Sequence, residues 1–221
     1  MELKLTENQV NALINAYNNF LIFENLDIAK GLNTHLGSVN ITPENINELE
    51  ELVHEGELEA QDLFDWEERP EYFQTMENIL DKLKTNNLKF DENEMYNIRN
   101  VTDLYSRLGQ GQIKVIRDIY SNIKNVHIGG FVSFTNIFDK ANKLVDTVSI
   151  SKMKDEYKIA YDIHQVIRNH LAWKRKPEGG IHIDFDKPKK CSKEPLPYIH
   201  VEQPQIEAKS KRSNKPRGSI K

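Results

Sequence analysis

The chain has one cysteine, Cys191, so an internal disulfide and a cysteine-based metal centre are both excluded. It has no apolar run approaching the ~18 residues that a membrane span needs. The opening residues MELKLTENQV lack the basic start, apolar stretch and small-residue cleavage site of a secretory signal. Together these absences lead to the expectation of a protein that stays in a reducing cytoplasm. Catalytic signatures are missing too. There is no G-x-S-x-G elbow, no Walker loop, no dinucleotide fingerprint, and His54-Glu55 is not followed by the second histidine of a zinc protease. Nucleophilic catalysis finds no foothold and no cofactor is implied; a metal- or nucleotide-dependent enzyme centred on Gln110–Gln112 or on His182, Asp184 and Asp186 is left as an alternative behind a binding protein.

What the chain does have is charge, unevenly placed. Residues 1–186 carry 31 acidic and 20 basic side chains, a net of −11, whereas residues 187–221 carry 3 and 10, a net of +7. This asymmetry divides the 221 residues into an acidic body, 1–186, and a basic tail, 187–221, facing different partners. Beyond Lys187 lysine, proline and serine leave too few apolar residues for a core, so the tail is expected to be disordered.

The body reads as mainly α, a helical bundle. Thr6 and Gln9 have capping-box spacing ahead of an apolar face of Val10, Leu13, Ile14, Tyr17, Phe20 and Leu21. Thr42-Pro43 opens a second helix, expected to run to about Gly56. A third starts near Pro70 and ends at Asn86-Asn87, and the stripe from Met95 to Leu108 closes at Gly109 as a C-cap. Ile113 to Ile123 continues the pattern, and Ile28, Leu32 and Leu36 hint at a short helix before Gly37. The helix over about 152–173 has apolar residues on two faces, as a central helix does. Short β elements are expected near 126–134, where Gly129-Gly130 suggests a hairpin or a loop, and at 181–186, where Ile181 to Asp186 alternates.

Four groups of residues bear on function. The span Glu44–Glu71 holds twelve carboxylates opposed only by Arg69. Within it Glu55, Glu57, Glu59, Asp62, Phe64, Asp65, Trp66, Glu67 and Glu68 combine charge with aromatic anchors, which suits a protein partner bearing a basic surface. A solvated acidic helix face has the same composition. In the tail, Lys187, Lys189, Lys190, Lys209, Lys211, Arg212, Lys215 and Arg217 could contact nucleic-acid phosphates or fold back on the acidic body. Arg107, Gln110, Gly111 and Gln112 could hold an anion at a helix start, or simply end one helix and begin another. On a strand, His182, Asp184 and Asp186 would share a face within reach of a divalent cation; a polar outer face looks identical. His164 and His170, six apart on one helix, point too differently to share a metal and are expected to be surface or half-buried, while Trp173 suits the core and Arg168 a buried or interface pairing.

Two segments, Leu104-Tyr105-Ser106-Arg107-Leu108-Gly109-Gln110-Gly111-Gln112 and Gln165-Val166-Ile167-Arg168-Asn169-His170-Leu171-Ala172-Trp173 with Pro177-Glu178-Gly179-Gly180 through Phe185-Asp186, resemble small accessory proteins of tailed bacteriophages. The resemblance covers about a quarter of the chain. It implies a viral accessory protein in a bacterial cytoplasm and carries over no activity or catalytic residue; the acidic, aromatic-bearing span Glu44–Glu71 adds the expectation that the chain binds and modulates or inhibits a host protein, such as a defence or nucleic-acid-handling protein.

Overall fold

A computed structural model describes residues 1–24, 28, 30, 42–63, 71–116, 118 and 128–201. In chain order these form β1 (Glu2–Lys4), α1 (Glu7–Glu24), α2 (Pro43–Leu63), α3 (Glu71–Lys84), α4 (Glu92–Gly109), α5 (Ile128–Ala141), α6 (Asp155–Arg175) and β2 (Tyr198–His200). Single 3-10 turns sit at Ile150–Lys152 and Ile183–Phe185. The fold is mainly helical, and no helix among the described residues is long and apolar enough to cross a membrane.

Local chemistry explains where the helices begin and end. The Thr6 N–H donates to Gln9 Oε1 at 2.9 Å and the Gln9 N–H to Thr6 Oγ1 at 3.3 Å, the reciprocal capping box expected of α1. A second box starts α4, where the Glu94 N–H donates to Asp91 Oδ1 and the Asp91 N–H to Glu94 Oε2, both at 2.9 Å. α3 unwinds at Asn86, whose φ of 54° is one that asparagine tolerates better than most residues.

α6 is the central helix, as its two apolar faces require. It packs along α4, against α1, and against the turn and strand that follow it. Ile159, Ala160, Ile163, Ile167 and Leu171 are buried on it, and Tyr157 stacks on Tyr105 of α4 with ring centroids 4.8 Å apart. α1 also packs on α3 and α4, with the buried Tyr17 hydroxyl donating to Asn97 Oδ1 at 2.9 Å. α2 packs chiefly on α5, and Leu49, Val53, Phe134 and Phe138 join that pair to the same apolar cluster.

Three expectations are corrected. Residues 128–134 are helical, so the glycine pair that suggested a hairpin lies inside α5; residues 126 and 127 lie outside the described set. Ile181–Asp186 is not a strand: its alternation belongs to a 3-10 turn in which the Phe185 N–H donates to His182 O and the Asp186 N–H to Ile183 O, both at 3.0 Å. The β structure lies elsewhere, as β1 and β2 pair antiparallel with Leu3 opposite Ile199.

The third correction concerns the tail, whose first fifteen residues, 187–201, are a strap bound to the body. Composition misled because polar contacts hold most of it, with Ile199 alone of its larger apolar side chains packed on the core among the described residues. Asp162, wholly buried on α6, accepts from the Cys191 N–H at 2.7 Å, the Ser192 N–H at 2.9 Å and Ser192 Oγ at 2.7 Å. Gln165 and the Lys189 backbone exchange hydrogen bonds of 2.9 and 3.0 Å. Glu194 accepts from Thr6 Oγ1 and Asn8 Nδ2, each at 2.7 Å, placing a carboxylate at the start of α1 where the helix dipole favours it. These two bonds hold its pKa below the ordinary glutamate value.

Candidate functional site

α2 separates its sequence cleanly into two faces. Leu49, Val53 and Gly56 face inward, and Gly56 is required there because an added Cβ would sit 2.8 Å from the Phe138 ring of α5. Glu48, Glu51, Glu55 and Leu58, at helical spacing, are exposed, with Ile46, Glu50 and His54 exposed beside them. Leu58 is 51% and Ile46 41% exposed, so among the described residues this acidic face carries apolar side chains left largely uncovered. His54 Nδ1 lies 3.9 Å from Glu57 Oε2. Glu55 also lines a cleft of about 500 Å³ with Asn136, Ile137, Asp139, Lys140 and Lys143 of the α5 side.

Of the proposed partner-binding residues, the structure therefore places Glu55 on the exposed face and leaves Glu57 half-buried beside it. Glu59 and Asp62 belong to the last turns of α2, their side chains outside the described set, and Phe64, Asp65, Trp66, Glu67 and Glu68 lie outside it altogether.

The proposed anion loop is organised for structure. Gly109 is the last residue of α4 and Gln110 is the cap, so the glycine is not there for a left-handed conformation. It is there because a Cβ would meet Tyr157 Cγ at 2.2 Å. Gly111 supplies the positive φ, 82°. The Arg107 guanidinium is engaged internally: Nε donates to Gln112 Oε1 at 3.1 Å, and Nη1 lies 3.2 Å from Asp118 and 3.7 Å from Asp103. An arginine matched to two carboxylates is not poised to receive an anion.

The proposed metal triad is not assembled. His182 Nδ1 accepts from the Asp184 N–H at 3.3 Å and lies 3.1 Å from Asp184 Oδ2, while the other Asp184 oxygen lies 3.7 Å from Arg168 Nε. Asp186 is exposed, and its carbonyl and that of Asp184 take hydrogen bonds from Asn169 Nδ2. Among the described residues no group of three or more histidine, cysteine or acidic side chains could hold a metal.

The end of α6 departs from expectation at its tryptophan. Trp173, expected in the core, is 45% exposed, and its ring meets Phe185 edge to face at 5.4 Å. Gly179 and Gly180 allow this turn to fold so closely, since a Cβ on either would crowd Trp173 or Phe185. The ring therefore braces the turn instead of filling the core. Ile181 and Ile183 beside it are exposed. Arg168 is paired with Asp184, as expected.

His164, expected near the surface, is buried in the α4–α6 seam, its Nδ1 3.1 Å from Arg99 O; His170 is half-buried. In the strap, Lys187, Lys189 and Lys190 are exposed, with Lys190 Nζ donating to Lys193 O at 3.1 Å. Lys209, Lys211, Arg212, Lys215 and Arg217 lie outside the described residues. Comparison with protein-family models, curated proteins and solved structures yields no match to this chain.

Proposed function

We propose that the chain is a helical interaction protein, a phage-type accessory protein acting in a bacterial cytoplasm, that binds and modulates or inhibits a host protein through the outward face of α2. The observation that carries this reading is the stripe of Glu48, Glu51 and Glu55 ending in an exposed Leu58, on a helix whose inner face is locked to α5 at Gly56. Charge on such a face accelerates encounter with a basic partner, and the uncovered Leu58 and Ile46 supply apolar area that slows dissociation. A fixed helix loses little freedom on binding, which favours affinity.

Its test is the triple reversal Glu48→Lys, Glu51→Lys and Glu55→Lys. Association with the captured partner slows by roughly tenfold or more at low salt and the difference shrinks as salt is raised. Leu58→Ala speeds dissociation with little change in association. Equal association rates for both proteins across low and moderate salt contradict the proposal.

A second reading rests on the exposed Lys187, Lys189 and Lys190, held on a fixed strap at the start of the basic segment. Nucleic-acid binding through those lysines predicts a steep loss of affinity with salt and its weakening when Lys187→Gln, Lys189→Gln and Lys190→Gln are combined.

A further inference from the structure

Most of the α4–α6 contact is apolar, but one edge of it gathers charged and polar groups. From α4 come Arg99, Asp103 and Arg107, spaced four apart; from α6 come Tyr161, His164 and Arg168. His164 stands among them, its Nδ1 3.1 Å from the Arg99 carbonyl and its Nε2 3.8 Å from Asp103 Oδ1. The charges of Arg99 and Arg168 both act on this imidazole, and those of Arg168 and Asp103 on the Tyr161 hydroxyl, so the two helices bring these groups into one neighbourhood.

The Nε atoms of Arg99 and Arg168 are both buried and find no hydrogen-bond acceptor among the described residues. Arg168 Nε is 3.7 Å from Asp184 Oδ1, close enough for Coulomb attraction and too far for a hydrogen bond. Arg99 has no ion-pair partner among the described residues. A buried donor left unbonded is costly, and two guanidinium donors in one cluster call for an acceptor that brings several oxygens at once. A tetrahedral oxyanion does this, because the planar guanidinium fork fits adjacent oxygens of one group.

We propose that Arg99 and Arg168, whose charges both act on His164, form with it a receptor site for a phosphate-type oxyanion. Arg107 is not part of it, being committed to Asp103 and Asp118. Counting Arg99, Arg107 and Arg168 against Asp103, Asp118 and Asp184, the formal charges of the cluster cancel. A bound phosphate therefore gains from one further positive charge, and His164 is placed to provide it. Without ligand the imidazole is neutral at pH 7: burial, then the charges of Arg99 and Arg168, hold its pKa below 6.5, against the opposing pull of Asp103 and the Arg99 carbonyl. An anion between the arginines offsets their repulsion, so His164 takes up a proton on binding, and binding tightens as pH falls from 7 toward 6.

The experiment titrates the full chain with inorganic phosphate, its concentration counted as the dianion at each pH, while the His164 ring resonances are followed by NMR at pH 7 and pH 6. The expected result is a saturable shift of His164, tighter at pH 6, weakened on the order of tenfold or more by Arg99→Gln and by Arg168→Gln and unchanged by Lys187→Gln. Should either glutamine variant fail to fold, Arg99→Lys and Arg168→Lys keep the charge while removing the fork, and they too weaken binding. A short single-stranded oligonucleotide that binds more tightly than phosphate, with the same arginine dependence, assigns the anion to a nucleic-acid backbone; binding of phosphate alone assigns it to a free ion. No saturable response of His164 up to phosphate on the order of 10 mM, or a response equal in wild type and all arginine variants, overturns the proposal.

Discussion

The Asp162 carboxylate, wholly buried on α6, takes the backbone N–H groups of Cys191 and Ser192 and the Ser192 hydroxyl, and so ties the strap to the central helix. Hydrogen bonds to a buried charge are among the stronger ones, and removing the carboxylate strands two backbone donors. Asp162→Ala is expected to lower the unfolding free energy by roughly 2–4 kcal/mol, measured by chemical denaturation. Limited tryptic proteolysis gives the local readout: cleavage after Lys189, Lys190 and Lys193 is faster in the variant than in wild type.

Gly109 and Tyr157 form a second fixed relationship, since the tyrosine ring occupies the space a Cβ would need, at 2.2 Å. Tyr157 is buried and stacked on Tyr105, so it cannot step aside without disturbing α4 and α6 together. Gly109→Ala is expected to cost about 2–3 kcal/mol or more, the penalty of overpacking, although alanine is the better helix former. Gly111→Ala acts differently: its loss, about 1 kcal/mol, comes from the positive φ of 82°. Thermal denaturation of the two variants checks the order.

His164 sets a pH dependence. Burial foremost, and then Arg99 and Arg168, hold its folded-state pKa below the ordinary 6.5, while the unfolded chain protonates near that value. The unfolded state therefore binds more protons as pH drops below about 6.5, and stability falls with pH until the folded-state pKa is passed. Unfolding free energies measured between pH 7.5 and about pH 5 should decline in wild type. In His164→Gln, which keeps a donor for the Arg99 carbonyl, that decline should be shallower.

Much of the helical frame was legible because the signals were local. Thr6 with Gln9, Thr42 with Pro43, and Asn86-Asn87 mark ends by chemistry that acts within a few residues, and the two-faced pattern of α6 required helices on both sides. Asp91 with Glu94 is an equally local box. The losses were long-range. Nothing near Cys191 and Ser192 announces that a carboxylate thirty residues earlier will bind them, so a lysine-rich stretch passed for disorder. Gly109 looked like a cap because glycine commonly ends helices, whereas the ring that needs it comes from another helix. Ile181–Asp186 alternated as a strand does, yet with no neighbouring strand to pair it, the segment closes on itself as a 3-10 turn under Trp173. The acidic face was legible in composition, but its exposed Ile46 and Leu58 needed the packing on α5 to be known.

The most direct test of the proposed function is a tagged pull-down from bacterial host lysate, with and without nuclease, run side by side with wild type and the Glu48→Lys, Glu51→Lys, Glu55→Lys variant. A protein recovered in stoichiometric amount by wild type, retained after nuclease and lost with the variant is the predicted result. Recovery of nuclease-sensitive material alone, or of the same protein in equal amount by both baits, contradicts an α2-mediated interaction.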